Sequence, residues 1–137
     1  MRTFDGGATR DDSDDKFDYE GFLSPVVLRM YAEYMHKHRI QADGGRRASD
    51  NWQNGMPREE YMKSLFRHFM DVWNDHRHDV HDDLTLEALC AMLFNVQGLM
   101  LEIATGRDLG KTVEVPVAKM QEWEQELANA REEWLRQ

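Results

Sequence analysis

The chain has 137 residues, the length of one domain around one core and too short for separate cofactor and substrate domains. Hydrophobic residues make up 41% and charged residues 31%, which suits a packed interior and excludes a protein built of bilayer spans. Seventeen Lys and Arg against 26 Asp and Glu give a formal charge of -9, which repels nucleic-acid phosphate and favours cations, so an anionic substrate needs metal ions or a local basic cluster. The first residues, Met1 to Arg10, carry no apolar stretch of signal-peptide type, and the following acids, interrupted by Lys16, read as a loop or arm over 1–23. Ser24 before Pro25 is a cap and first-turn proline, and Val27, Met30, Tyr31, Tyr34 and His38 recur at helical spacing, predicting a helix from about 25 to 40. Gly44, Gly45, Ser49, Asn51, Asn54, Gly55 and Pro57 then form a long polar loop.

Pro57 opens a second predicted helix with Tyr61, Leu65, Phe66, Phe69 and Trp73 as its stripe, ending near Asp75. The segment His76 to Asp83 is too polar to bury, and Asp82 or Asp83 caps a third helix running to Ala104 and closed by Gly106. That helix is apolar on all sides, which places it at the centre between neighbours. A connector follows, with an extended piece expected at Val113 to Val117, and then a charged helix to Gln137 striped by Met120, Trp123, Leu127, Ala130 and Trp134. No strand pattern is long enough for a sheet, so the class is all-α and the whole chain, 1–137, is one domain with 107–137 as connector and C-terminal helix. Cys90, the single cysteine, excludes an intrachain disulfide and a cysteine-rich zinc site, reads as an inert core thiol and fits a reducing cytosol.

His68, Asp71 and Asp75 are spaced i, i+3, i+7 and share one helix face; Asp83 and Glu87, four apart, share a face of the next helix. Carboxylates from two helices suit Mg2+ or Mn2+, whereas a solvated acidic face is the plainer reading. Glu87 favours the first, because it lies between Leu86 and Ala88 in an apolar helix where an unpaired carboxylate is costly. Asn95, eight residues on, reads as a core amide or a substrate contact. Arg10, Lys16, Arg46, Arg47 and Arg67 are potential phosphate contacts or surface charges. Trp52, beside Asn51 in the polar loop, stacks on a base or anchors the loop.

Taken in order, Gly7-Ala8-Thr9-Arg10, Lys16, Asp50-Asn51-Trp52-Gln53, Gly55, Arg67-His68, Trp73 and the Glu87 to Asn95 helix resemble the phage dATP/dGTP diphosphohydrolase family, MazZ-type relatives of the MazG-like all-α nucleoside triphosphate pyrophosphohydrolases. The resemblance spans roughly 6–104. It implies a MazG-like four-helix bundle, oligomeric as a homodimer or homotetramer, and metal-dependent hydrolysis of a purine deoxynucleoside triphosphate to monophosphate and pyrophosphate. In that setting dGTP hydrolysis supplies dGMP for 2-aminoadenine nucleotide synthesis and dATP hydrolysis depletes the competing nucleotide, in the cytoplasm of a host cell, without nucleic-acid or membrane partners. The wider superfamily carries its metals on Glu-x-x-Glu and Glu-x-x-Asp. Here His68-x-x-Asp71 takes the first place by helix order, and Asp83 with Glu87, spaced four apart, takes the second.

The expected assignment is therefore Asp71, Asp75, Asp83 and Glu87 as metal ligands, with His68, Asp71 and Glu87 closest to the chemistry. Arg10, Lys16 and Arg67 are expected on phosphate, and Asn51, Trp52 and Asn95 on base or sugar. Two other readings compete: an HD-type phosphohydrolase using His78-Asp79 and His81-Asp82, and a non-catalytic interaction protein docking through Trp123 and Trp134.

Overall fold

A computed structural model of the chain describes residues 1–10, 16–109 and 117–137, with side chains from residue 121 in the last segment. The architecture is all-α. A two-residue antiparallel ladder, β1 (Arg2–Thr3) with β2 (Thr9–Arg10), forms a small hairpin in the N-terminal arm, followed by a single turn, α1 (Tyr19–Phe22). The long helices are α2 (Pro25–Lys37), α3 (Arg58–Arg77), α4 (Asp83–Ala104) and α5 (Val117–Arg136), and a 3-10 turn spans Asn51–Asn54.

Each boundary has a local cause. The Ser24 hydroxyl accepts from the Val27 amide to start α2, and Pro57 caps α3 without a side-chain bond. Helix α2 stops three residues short of expectation because the chain turns at His38 into an antiparallel bridge between Ile40 and Arg46. Helix α3 runs to Arg77, past Asp75, since the carbonyls of Asn74, Asp75 and His76 are taken up by the amides of His78, Asp79 and Val80. Asp82 and Thr85 form a reciprocal capping box that starts α4, and Gly106, at φ 66°, ends it. Of the expected extended piece, 113–116 lies outside the described residues and Val117 already belongs to α5.

Helix α4 is the central helix, packed by α3 on one side and α2 on another. Its contact with α3 is close because Gly98 leaves room for the Tyr61 ring, which a β-carbon there would strike; Tyr61 is 1% exposed. Thr85, Ala88, Ala91, Asn95, Gly98 and Glu102 line the buried face of α4. Its length and apolarity alone would let it cross a membrane, yet it carries a fully buried Glu102 and serves as the scaffold for two other helices.

The central placement of α4 thus holds, but a third face stays uncovered in the single chain. Leu86, Leu89, Leu93, Val96, Met100 and Ile103, at alternating steps of three and four, are all exposed. The expected α3 stripe divides likewise: Tyr61 and Leu65 turn inward while Phe66, Phe69 and Trp73 remain exposed.

The core extends beyond Ala104. Glu102, with 0% of its side chain exposed, receives Nε and Nη2 of Arg107 at 2.6–3.0 Å, and the same Nη2 donates to the Gln53 carbonyl at 2.9 Å. The Asp108 carboxylate accepts from the Arg58 amide at 2.9 Å. These bonds clip the 3-10 turn and the start of α3 to the end of α4. Gly55, at φ 81°, lies against them, and any β-carbon there would collide with the Glu102 carboxylate and the Arg107 guanidinium.

Candidate active site

The antiparallel hairpin of α3 and α4 brings the last turns of one beside the first turns of the other. There, His68, Asp71, Asn74 and Asp75 of α3 face Leu84, Glu87 and Ala88 of α4, and Tyr34 with His38 of α2 closes one end. The cleft holds about 430 Å³. The Thr85 hydroxyl donates to Asp75 Oδ2 at 2.6 Å, which fixes that carboxylate and leaves its other oxygen without this constraint. The Glu87 carboxylate is ion-paired with Lys37 of α2, whose hydrogen bond and charge hold it below the usual carboxylate range. The backbone amide of Thr85 holds the Asp82 carboxyl low in the same way. Among the described residues no three His, Cys, Asp or Glu side chains converge tightly enough to hold an ion by themselves.

A second cleft of about 430 Å³ adjoins the first across Tyr34 and His38, whose rings lie 4.3 Å apart. Its character is different. Trp52 and Phe94 supply aromatic wall, while Arg39, Arg47, His36, Ser49 and Asn51 supply polar and cationic groups. The turn after α2 builds the cationic side: the Arg47 amide donates to the Arg39 carbonyl at 2.8 Å, and Arg39 Nε donates back to the Arg47 carbonyl at 2.8 Å. The two arginines are therefore neighbours although eight residues apart. Burial pushes the Tyr34 hydroxyl up, so it remains a neutral donor at the junction of the two clefts.

The structure gathers His68, Asp71, Asp75 and Glu87 in the first cleft and Asn51 with Trp52 in the second. It does not bring the other expected residues there. Asp83 is an exposed first-turn acid of α4 outside both linings, placed for the helix dipole. Asn95, 2% exposed, is a core amide: its Nδ2 donates to Ser64 Oγ at 3.1 Å and to the Ala91 carbonyl at 2.8 Å, joining α3 to α4, and its buried Oδ1 has no hydrogen-bond partner among the described residues. Arg67 is exposed beside His68 and points along a different face, Arg10 is exposed on β2, and Lys16 is ion-paired with Glu133 of α5 at 3.0 Å.

Sequence reasoning left Lys37, His38, Arg39, Tyr34 and Thr85 out of the site. Helical periodicity marks Tyr34 and His38 only as stripe residues, and the one signal that could have found Thr85 is the capping-box spacing Asp82-x-x-Thr85. His78 and His81 sit on the exposed turn between α3 and α4, the first bonded to the Asn74 carbonyl and the second beside Asp79, and neither lines either of these two clefts. Cys90 is buried, and burial raises its thiol, as an inert core cysteine requires.

The chain is thus all-α, with an acidic cleft beside a cationic and aromatic one across the shared Tyr34 and His38. The sequence family described as dATP/dGTP diphosphohydrolase, N-terminal, matches residues 6–104, and the chain belongs to that family. It is accordingly an enzyme of the nucleoside triphosphate pyrophosphohydrolase class. No curated protein and no solved structure matches the chain.

Proposed function

We propose that the chain hydrolyses dGTP and dATP to the monophosphate and pyrophosphate in the paired clefts, assisted by Mg2+ or Mn2+. The observation that carries this reading is the wall of Tyr34 and His38 shared by the two clefts; a nucleotide laid across it would set its phosphates among the acids and its base against Trp52. The donor chemistry fits a hard divalent ion. Asp71, Asp75 and Glu87 are oxygen ligands from two helices around one cleft, and Mg2+ characteristically takes one or two carboxylates and completes its shell with water and substrate phosphate, so a full protein cage is not required. When bound, the ions neutralise the triphosphate and stabilise the pyrophosphate leaving group.

The remaining work falls to side chains of this chain. His68 lines the cleft one turn before Asp71, and in this reading it accepts the proton of the water that attacks the α-phosphorus. Arg39 and Arg47, on the wall shared with Trp52, add the positive charge that draws in an anionic nucleotide, Asn51 contacts base or sugar, and Trp52 offers a stacking face. Thr85 is a positioning residue for Asp75. Thr85→Val, which keeps the shape and deletes the hydroxyl, is expected to weaken Mn2+ binding about tenfold while leaving helix content unchanged by circular dichroism. An unaltered Mn2+ affinity would remove Thr85 from the site.

The test of the activity is product analysis. The purified chain is incubated with each deoxynucleoside triphosphate under Mg2+, Mn2+ or chelator, and products are resolved by ion exchange. Metal-dependent dGMP or dAMP with pyrophosphate is expected; nucleoside with triphosphate, or no turnover, overturns the reading. The cellular role that fits is supply of dGMP for 2-aminoadenine nucleotide synthesis in a phage-infected cytoplasm, with depletion of dATP.

The assembly we propose is a homodimer or homotetramer. The uncovered seam Leu86, Leu89, Leu93, Val96, Met100 and Ile103 on α4, with Met62, Phe66, Phe69 and Trp73 on α3, is two heptad-spaced apolar rows that a second copy would bury. Light scattering should give at least twice the chain mass at micromolar concentration, and Leu93→Glu should reduce it; a monomeric mass for the unaltered chain refutes the assembly.

A further inference from the structure

Glu87 stands on a ridge. On one side it borders the acidic cleft with Asp71 and Asp75, and on the other a smaller hollow of about 220 Å³ formed with Met30, Glu33, Lys37 and Cys90. Lys37 lines the hollow and not the cleft, and its ammonium is paired with Glu87 Oε1. The pair therefore draws the Glu87 carboxylate toward α2. Asp75 is treated in the opposite way, held in place from its own hairpin by Thr85. Both partners of the ion pair are solvent-accessible, with side chains 61% and 42% exposed, so water screens their attraction and a stronger competitor can part them.

We infer that Lys37 is a positioning residue that parks Glu87 on the α2 side of the ridge until a divalent cation in the acidic cleft competes for the carboxylate. This rests on the reading of that cleft as the metal site. Lysine is the residue type suited to the role: a point charge on a flexible four-carbon stem releases its partner without the bidentate geometry by which arginine would retain it.

The measurement is binding of Mn2+ alone, without nucleotide, followed by electron paramagnetic resonance of the free ion. Four proteins are compared: the unaltered chain, Lys37→Met, Glu87→Gln and the double variant, each checked for helix content. Lys37→Met should tighten Mn2+ binding by about two- to fivefold, the range in which exposed ion pairs act. Glu87→Gln should weaken it, and adding Lys37→Met to Glu87→Gln should change nothing further, because the parked carboxylate is gone. Equal tightening in both backgrounds would mean only the general loss of a positive charge and would overturn the inference. So would no tightening from Lys37→Met, or no Mn2+ binding by any of the four. Product analysis of the unaltered chain separates the two levels: turnover without the background dependence sinks the parking role alone, whereas the background dependence without turnover sinks the hydrolase reading and leaves the cation-competed ion pair standing.

Discussion

Arg107→Ala should lower the stability of the chain by about 3–5 kcal/mol, the loss seen when one partner of a buried ion pair is removed. Glu102 has no solvent-exposed side-chain surface, and its carboxylate takes its charge-assisted bonds from Arg107. Without the guanidinium a carboxylate stays buried with no countercharge, or the site must open to water. For a chain of this size the expected fall in Tm is about 10–20 °C, read by thermal denaturation followed by circular dichroism. Glu102→Gln should cost less, since an amide oxygen still accepts a hydrogen bond and the orphaned Arg107 is partly in water. Replacing both by Met and Leu should recover much of the loss. A Tm within about 2 °C of the unaltered chain for Arg107→Ala would show that the clip is dispensable. The same bonds reach Gln53, next to Trp52, so Glu102→Gln should also raise KM for nucleotide more than it lowers kcat, by freeing the loop that carries the base wall.

Asp71→Ala should reduce kcat/KM by about a thousandfold or more, because metal stabilisation of phosphoryl charge is worth several kcal/mol and each 1.4 kcal/mol is a factor of ten. Asp71 is the acid of the cleft most open to this test. It is exposed on α3 with no cap or core role, so its removal should leave the fold intact, whereas Asp75 also serves Thr85 and Glu87 also serves Lys37. Asp83→Ala, by contrast, should retain activity near that of the unaltered chain, since Asp83 lies outside the cleft. A fully active Asp71→Ala would remove the acidic cleft from the mechanism.

Much of the acidic cleft's lining was legible in the sequence, and the part that was not has a consistent character. His68, Asp71 and Asp75 were found because helical spacing alone puts them on one face, and Glu87 because a carboxylate among Leu86, Ala88 and Cys90 is an anomaly in one dimension. Asn95 looked similar by the same logic, yet its amide is engaged by Ser64 on a helix 31 residues away. Arg67 adjoins His68 in sequence but lies on another helix face, and Lys16, offered as a cation in the N-terminal arm, is turned to Glu133.

The all-α class, the order and approximate limits of the helices and the acidic faces are written locally, because caps, prolines and a repeat of about 3.6 residues are properties of short stretches, and the family is carried by an ordered series of short motifs. Tertiary structure alone decided which faces meet. The Lys37 to Glu87 pair spans 50 residues, and the bond from Arg107 to Gln53 spans 54, and nothing in the spacing along either helix encodes such a partner. The turn that sets Arg39 beside Arg47 and the i, i+4 ring pair of Tyr34 and His38 are local to the end of α2, but that they stand beside the acids of the α3–α4 hairpin depends on the packing of α2 against α4. Local backbone preferences fix elements, whereas complementary packing between elements fixes a site, and that information is distributed over the whole chain.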